Sequence, residues 1–136
     1  MIWNIYQEKI RDHYQNPRNK GVLENPDFTA NIYNPSCGDS ITFQGTLDDG
    51  KIMRLAFQGF GCVISQAVAS MLTQKLIGLN LRDILLLNAD FIKELIGIQL
   101  GPTRLKCALL PLDTLRKAFQ DIAPNSPDKS GCNVKS

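Results

Sequence analysis

"ITFQGTLDDGKIMRLAFQGFGCVISQAVASML", residues 41–72, changes its hydrophobic period partway along. Ile41, Phe43, Gly45 and Leu47 alternate with Thr42, Gln44 and Thr46, and after Asp48-Asp49-Gly50 the residues Met53, Leu55 and Phe57 alternate with Arg54 and Gln58. Period two on both sides of such a turn predicts an antiparallel hairpin with one buried face. Gly59-Phe60-Gly61 then breaks the strand. Ile64, Ala67, Val68, Met71, Leu72 and Leu76 recur at helical spacing up to Gly78, which predicts a helix beginning near Cys62.

Upstream, Ile2, Ile5, Tyr6, Ile10 and Tyr14 predict an amphipathic first helix that the run NPRNKG, residues 16–21, stops. Residues 22–35 are rich in Asn and Pro without a period and read as a loop leading to Cys37. Downstream, Asn80 and Asn88 are in place to cap two short helices, the second ending at Gly97. A last helix is expected from Gly101-Pro102 to about Ala123, with Leu105, Leu109, Leu112, Leu115, Phe119 and Ile122 inward. Pro111 either kinks its first turns or marks its true start. The polar residues 124–136 read as a mobile tail behind a domain of residues 1–123.

The chain has 136 residues, 43% of them hydrophobic, which suits one domain with its own core. Its formal charge is +2, and the loose basic set at Arg11, Arg18 and Lys20 is not a stripe that tracks phosphates, so no nucleic-acid partner is expected. Charges at Glu8, Lys9, Arg11 and Asp12 interrupt any leader-like apolar run, and no segment is long enough to span a bilayer. A cytoplasmic protein with no membrane partner is the expectation. In that compartment four cysteines read as thiols, metal ligands or redox groups rather than structural disulfides.

Three of them, Cys37, Cys62 and Cys107, fall at boundaries between expected elements, each with a glycine or proline close by. In Pro35-Ser36-Cys37-Gly38-Asp39, the freedom of Gly38 lets Cys37 and Asp39 face the same way, giving an arm of one sulfur and one oxygen. Cys62 falls at the first turn of a helix, where amide groups and the helix dipole favour negative charge. Cys107 is expected at the edge of the packed face of the last helix, with Lys106 beside it as a cation. Three thiolates and a carboxylate suit zinc, or iron with sulfide. Each residue also has a plainer reading. A buried cysteine is often a small hydrophobe; Asp39 can form a turn, Gly59 and Gly61 can punctuate, and Lys106 can be solvated. His13, the one histidine, reads as structural or surface rather than as a ligand; Trp3, Tyr6 and Tyr14 read as helix packing, and Cys132 as an incidental thiol in the tail.

Taken together, HYQNPRNKG (13–21), NPSCGD (34–39), GFGCVISQAVASML (59–72) and RLKCALL (104–110) resemble the iron-sulfur cluster assembly scaffolds of the IscU, SufU and N-terminal NifU type, in family order over about residues 2–122. The resemblance implies an α+β fold: a small three-stranded antiparallel sheet with helices packed on it, its first strand around Thr29 to Tyr33, and a site at one exposed end. It implies Cys37, Cys62 and Cys107 as ligands of a transient [2Fe-2S] cluster or of zinc, with Asp39 as the nearby carboxylate and the thiols exposed on mobile loops. It further implies a cysteine desulfurase that delivers sulfur to one of these cysteines, and apo iron-sulfur proteins that accept the cluster. No catalytic residue beyond the sulfur-accepting cysteines is implied.

Where IscU-like members place a histidine before the third cysteine, and a Leu-Pro-Pro-Val-Lys stretch read by a dedicated Hsp70-type chaperone, this chain has Lys106 and LGPTR (100–104). Histidine ligation and that chaperone therefore do not carry over. RLKC looks like the SufU type, yet the interval from Cys62 to Cys107 lacks the insertion of SufU members. Three readings follow: a cluster scaffold, a zinc-dependent SufU-type sulfur acceptor, and a structural zinc module.

Overall fold

The computed structural model describes residues 5–35 and 38–122, and only the backbone of residues 5, 6, 121 and 122. Cys37, Trp3, Cys132 and the expected tail thus lie outside the described residues, as does the side chain of Tyr6. The chain order is α1 (Ile5–Gln15), β1 (Phe28–Asn34), β2 (Asp39–Asp48), β3 (Lys51–Phe60), α2 (Val63–Leu76), α3 (Leu81–Leu85), α4 (Ala89–Ile96) and α5 (Pro102–Ile122).

The three strands form an antiparallel meander in the order β1-β2-β3. Asp49 and Gly50 turn the β2–β3 hairpin, both with positive φ, at 55° and 76°, as a two-residue loop between right-twisted strands requires. β1 occupies part of the stretch whose composition reads as a loop, close to the strand implied by the family resemblance. Phe28 and Ala30 are buried while Thr29, Asn31 and Tyr33 face out. The alternation is present but faint, because its inward residues include a small alanine and its outward ones a tyrosine.

Met53, expected on the buried face, is 52% exposed. The register slips between Thr46 and Leu47, so that Thr46 opposes Arg54 but Leu47 opposes Ile52. Met53 is the extra residue of this bulge. The slip reverses the alternation, putting Ile52 inside and Met53 outside while leaving Leu55 and Phe57 buried.

α2 is buried on nearly every side, from Ile64 through Thr73 and again at Leu76. It packs against α1, α5 and the sheet, which explains why small residues, Ala67, Ala69 and Ser70, alternate with large ones along it. Burying that much apolar surface, at about 25 cal/mol per Å², gives the domain a core independent of any ligand. α3 and α4 begin at Asn80 and Asn88, whose side chains accept hydrogen bonds from Asp83 N, and from Asp90 N and Phe91 N. Gly97 ends α4 in the left-handed conformation.

α5 runs from Pro102 with Pro111 inside it. Pro111 has no N–H to offer the carbonyl of Cys107, four residues earlier, so the helix ladder is interrupted at the cysteine. Leu112, Leu115 and Phe119 are buried as expected, while Leu105 and Leu109 are only partly so. Tyr14, expected to pack, is 44% exposed. α1 turns Ile10 and His13 inward instead.

Candidate metal centre

Asp39, Cys62 and Cys107 arrive from three different elements. Asp39 is the first residue of β2, paired with Asn34, the last residue of β1. Between those two the chain reverses through Gly38, whose φ is +69° and whose N–H donates to Asn34 O at 2.9 Å. Cys62 is the N-cap residue of α2, and Cys107 lies in the second turn of α5. One carboxylate oxygen of Asp39 and the two sulfurs all lie within 4.8 Å of one another. A tetrahedron with metal–sulfur bonds of about 2.3 Å has edges of roughly 3.8 Å. A small contraction of these three donors therefore suffices to hold an ion.

Asp39 is 0% exposed. Its Oδ1 accepts a hydrogen bond from Cys62 N at 2.6 Å, while Oδ2 is buried with no hydrogen-bond partner among the described residues. A buried acceptor left open costs about 1–3 kcal/mol, a cost that a metal ion bound there would offset. Buried oxygen and thiol donors together suit zinc or iron. Cys107 is 3% exposed and belongs to the core cluster rather than to the edge of the packed face; Cys62 is partly exposed. The exposed thiols on mobile loops that the resemblance implies are thus not what is found at these two cysteines. The donors are held at the ends of regular elements.

Sequence reasoning treats Gly61 as punctuation, but its place is set by the site. At φ +126°, a Cβ on Gly61 would overlap Asp39 Oδ1 and come within 2.7 Å of the Asp39 Cα. Only a bare backbone lets α2 start against the carboxylate. Gly59 has a similar constraint from the carbonyl of Ser40 and from Gln66 Oε1. Lys106 is exposed beside Cys107. His13, by contrast, is buried away from this group, its Nδ1 hydrogen-bonded to Ser70 Oγ at 2.7 Å; it is a structural residue.

Among the described residues, a three-stranded meander carries five helices, and a carboxylate and two thiols converge near the starts of β2, α2 and α5, which defines a small α+β class with a donor group able to hold a metal ion. The chain belongs to the NifU-like N-terminal domain family, whose model matches residues 5–126. It is 36% identical over 117 residues to iron-sulfur cluster assembly scaffold protein IscU 1 of Archaeoglobus fulgidus, covering 86% of this chain and 76% of that protein. It is 37% identical over 130 residues to zinc-dependent sulfurtransferase SufU of Bacillus subtilis, covering 83% and 88%. The crystal structure of the N-terminal part of a nitrogen-fixing NifU-like protein from Brucella abortus superposes with a TM-score of 0.72 at 24% identity, covering 90% of this chain and 96% of that one. That last likeness bears on the fold alone. No helix among the described residues is long and apolar enough to cross a membrane.

Proposed function

We propose that this protein is an iron-sulfur cluster assembly scaffold. It accepts sulfane sulfur from a cysteine desulfurase and builds a transient [2Fe-2S] cluster on Cys37, Cys62 and Cys107 with Asp39 as fourth ligand; two ferrous ions supply two of the four electrons that reduce two sulfurs to sulfide, and an excess thiol such as free cysteine supplies the other two on forming its disulfide. The cluster then passes to apo acceptor proteins. The observation that carries this reading is the buried, unpartnered Oδ2 of Asp39 beside two thiols. A carboxylate holds iron less firmly than a thiolate does. With Oδ1 engaged by Cys62 N–H, Asp39 has one oxygen left to offer, which suits a cargo that must leave. The relatives named as scaffolds support the same reading.

The test is anaerobic. Apo-protein is incubated with ferrous iron, cysteine and a cysteine desulfurase while the visible spectrum is followed, and apo-ferredoxin is then added. Cluster absorption that forms and then leaves with the ferredoxin is the expected result. Asp39→Ala should keep its cluster longer than the parent, and an equal lifetime would remove Asp39 from the ligand set.

A zinc-dependent sulfur acceptor is the second reading, favoured by the SufU relative and by a donor set that also suits zinc. Zinc would be held by the same four residues, with one cysteine taking the sulfur. The alignment to SufU runs over 130 positions but takes up only 83% of this chain, so SufU has stretches that this chain lacks, whereas the Archaeoglobus protein aligns over 117 positions and 86%. Tight zinc, no cluster, and a desulfurase accelerated by the protein would reverse the order. A purely structural zinc module fits least well, because the apolar core closes without metal.

A further inference from the structure

Cys62 occupies the N-cap position of α2, yet its side chain makes no capping hydrogen bond. An ordinary N-cap residue turns its side chain back onto the amides of the first turn. Cys62 is instead held through its backbone. Its N–H donates to Asp39 Oδ1 at 2.6 Å, and its carbonyl accepts from Ser65 Oγ at 3.1 Å and from Gln66 N at 3.3 Å. Ser65 in turn accepts from Gln66 Nε2 at 3.2 Å. Ser65 is wholly buried and Gln66 is 7% exposed.

This chain has a direction. Ser65 has one proton, and it goes to the carbonyl of Cys62. The Gln66 amide must therefore present its NH₂ to Ser65, because its oxygen would compete for that proton. The consequence is that Gln66 Oε1 is left buried without a partner. Among the described residues, the only two such side-chain atoms are this one and Asp39 Oδ2, and they flank the same helix start. A fold indifferent to the site would place an apolar side chain of similar size at position 66.

We propose that Ser65 and Gln66 are positioning residues: they fix the backbone of Cys62 so that its thiol, relieved of capping, is aimed at the metal beside Asp39 and Cys107. The inference rests on the metal-centre reading given above. It predicts that outer-shell changes alter metal binding without unfolding the domain.

Cobalt(II) is the probe, because its ligand-field and sulfur-to-metal charge-transfer bands report ligand geometry directly. Gln66→Met conserves volume and removes the orphaned oxygen, so a merely structural residue predicts equal or higher thermal stability and unchanged metal binding. Positioning predicts a melt of the apo-protein within a few degrees of the parent, shifted cobalt bands, and zinc affinity, by competition, lowered roughly 10- to 100-fold, as for other outer-shell changes. Ser65→Ala should act in the same direction. Cobalt bands sensitive to Cys62→Ser but unmoved by Gln66→Met and Ser65→Ala overturn this inference alone. Bands indifferent to Cys62→Ser overturn the metal-centre reading, and this inference with it.

Discussion

Two buried polar clusters lie along α2, one near each end, and they are finished differently. Toward the C-terminal half, Ser70 Oγ is hydrogen-bonded to His13 Nδ1 and accepts from Arg18 N; Thr73 Oγ1 accepts from Asn19 Nδ2 and lies 2.7 Å from the Ser70 carbonyl. Every one of these side chains has a partner, and together they stitch the end of α1 and residues 16–19 to the central helix. At the N-terminal end, Asp39 and Gln66 are equally deep, yet each leaves one oxygen open. The same burial that makes a satisfied network rigid makes an unsatisfied one costly. The closed cluster fastens elements together, and the open one leaves two buried oxygens without a hydrogen-bond partner among the described residues, one of them in a group able to hold a metal ion.

The sharpest way to break this contrast is Gly61→Ala. A side chain at φ +126° costs roughly 1–3 kcal/mol in backbone strain alone, and this one must also displace Asp39. Shifted cobalt bands together with a lower melting temperature are expected; bands identical to the parent's would show that Asp39 is not where the metal sits. Next in size is Ser70→Ala, which strips partners from His13 and from the Arg18 amide. It should cost about 1–3 kcal/mol in urea denaturation while leaving zinc affinity as it was. A fall in affinity would mean that the two clusters are one.

His13 supplies a gentler test. Burial, helped by the nearby Arg18 and Lys9 charges and opposed by Asp12, holds its pKa below the ordinary 6.5. The folded protein therefore binds this proton less well than the unfolded chain does. The His13 contribution is complete above the unfolded value and declines as pH falls from there toward the folded one. The stability advantage of the parent over His13→Asn should shrink between pH 7.5 and 5; a constant difference in urea midpoint would contradict the assignment. Chelation should leave a cooperative melt, since the core does not depend on metal, whereas collapse of the transition would support a structural site. The smallest effect is expected of Cys132→Ser, which should change neither cluster lifetime nor melting temperature.

Much of this was legible from residue types and spacing. The hairpin was marked by Asp49-Gly50 between alternating runs, α3 and α4 by Asn80, Asn88 and Gly97, and α2 by its apolar rows. What misled were places where a neighbour overrode the local pattern. Residues 28–34 pair as a strand because β2 offers them an edge, although their own alternation is faint. Met53 faces out because it is the extra residue of a bulge that shifts the register. Pro111 neither starts nor stops α5, since packing of the flanking turns on the sheet and α2 outweighs one lost hydrogen bond.

Residue types and spacing along the chain carry the chemical inventory: three cysteines and an aspartate near expected element boundaries, with glycines where the backbone must bend. Those are local properties, fixed by side-chain chemistry and by the φ/ψ freedom of single residues. Long-range packing settles three further points: Asp39, Cys62 and Cys107 meet, Cys107 is buried rather than at an edge, and the bare backbone at Gly61 admits the Asp39 carboxylate. These depend on how α2 and α5 seat on the sheet, a balance of packing over residues far apart in the chain, which no spacing along it encodes.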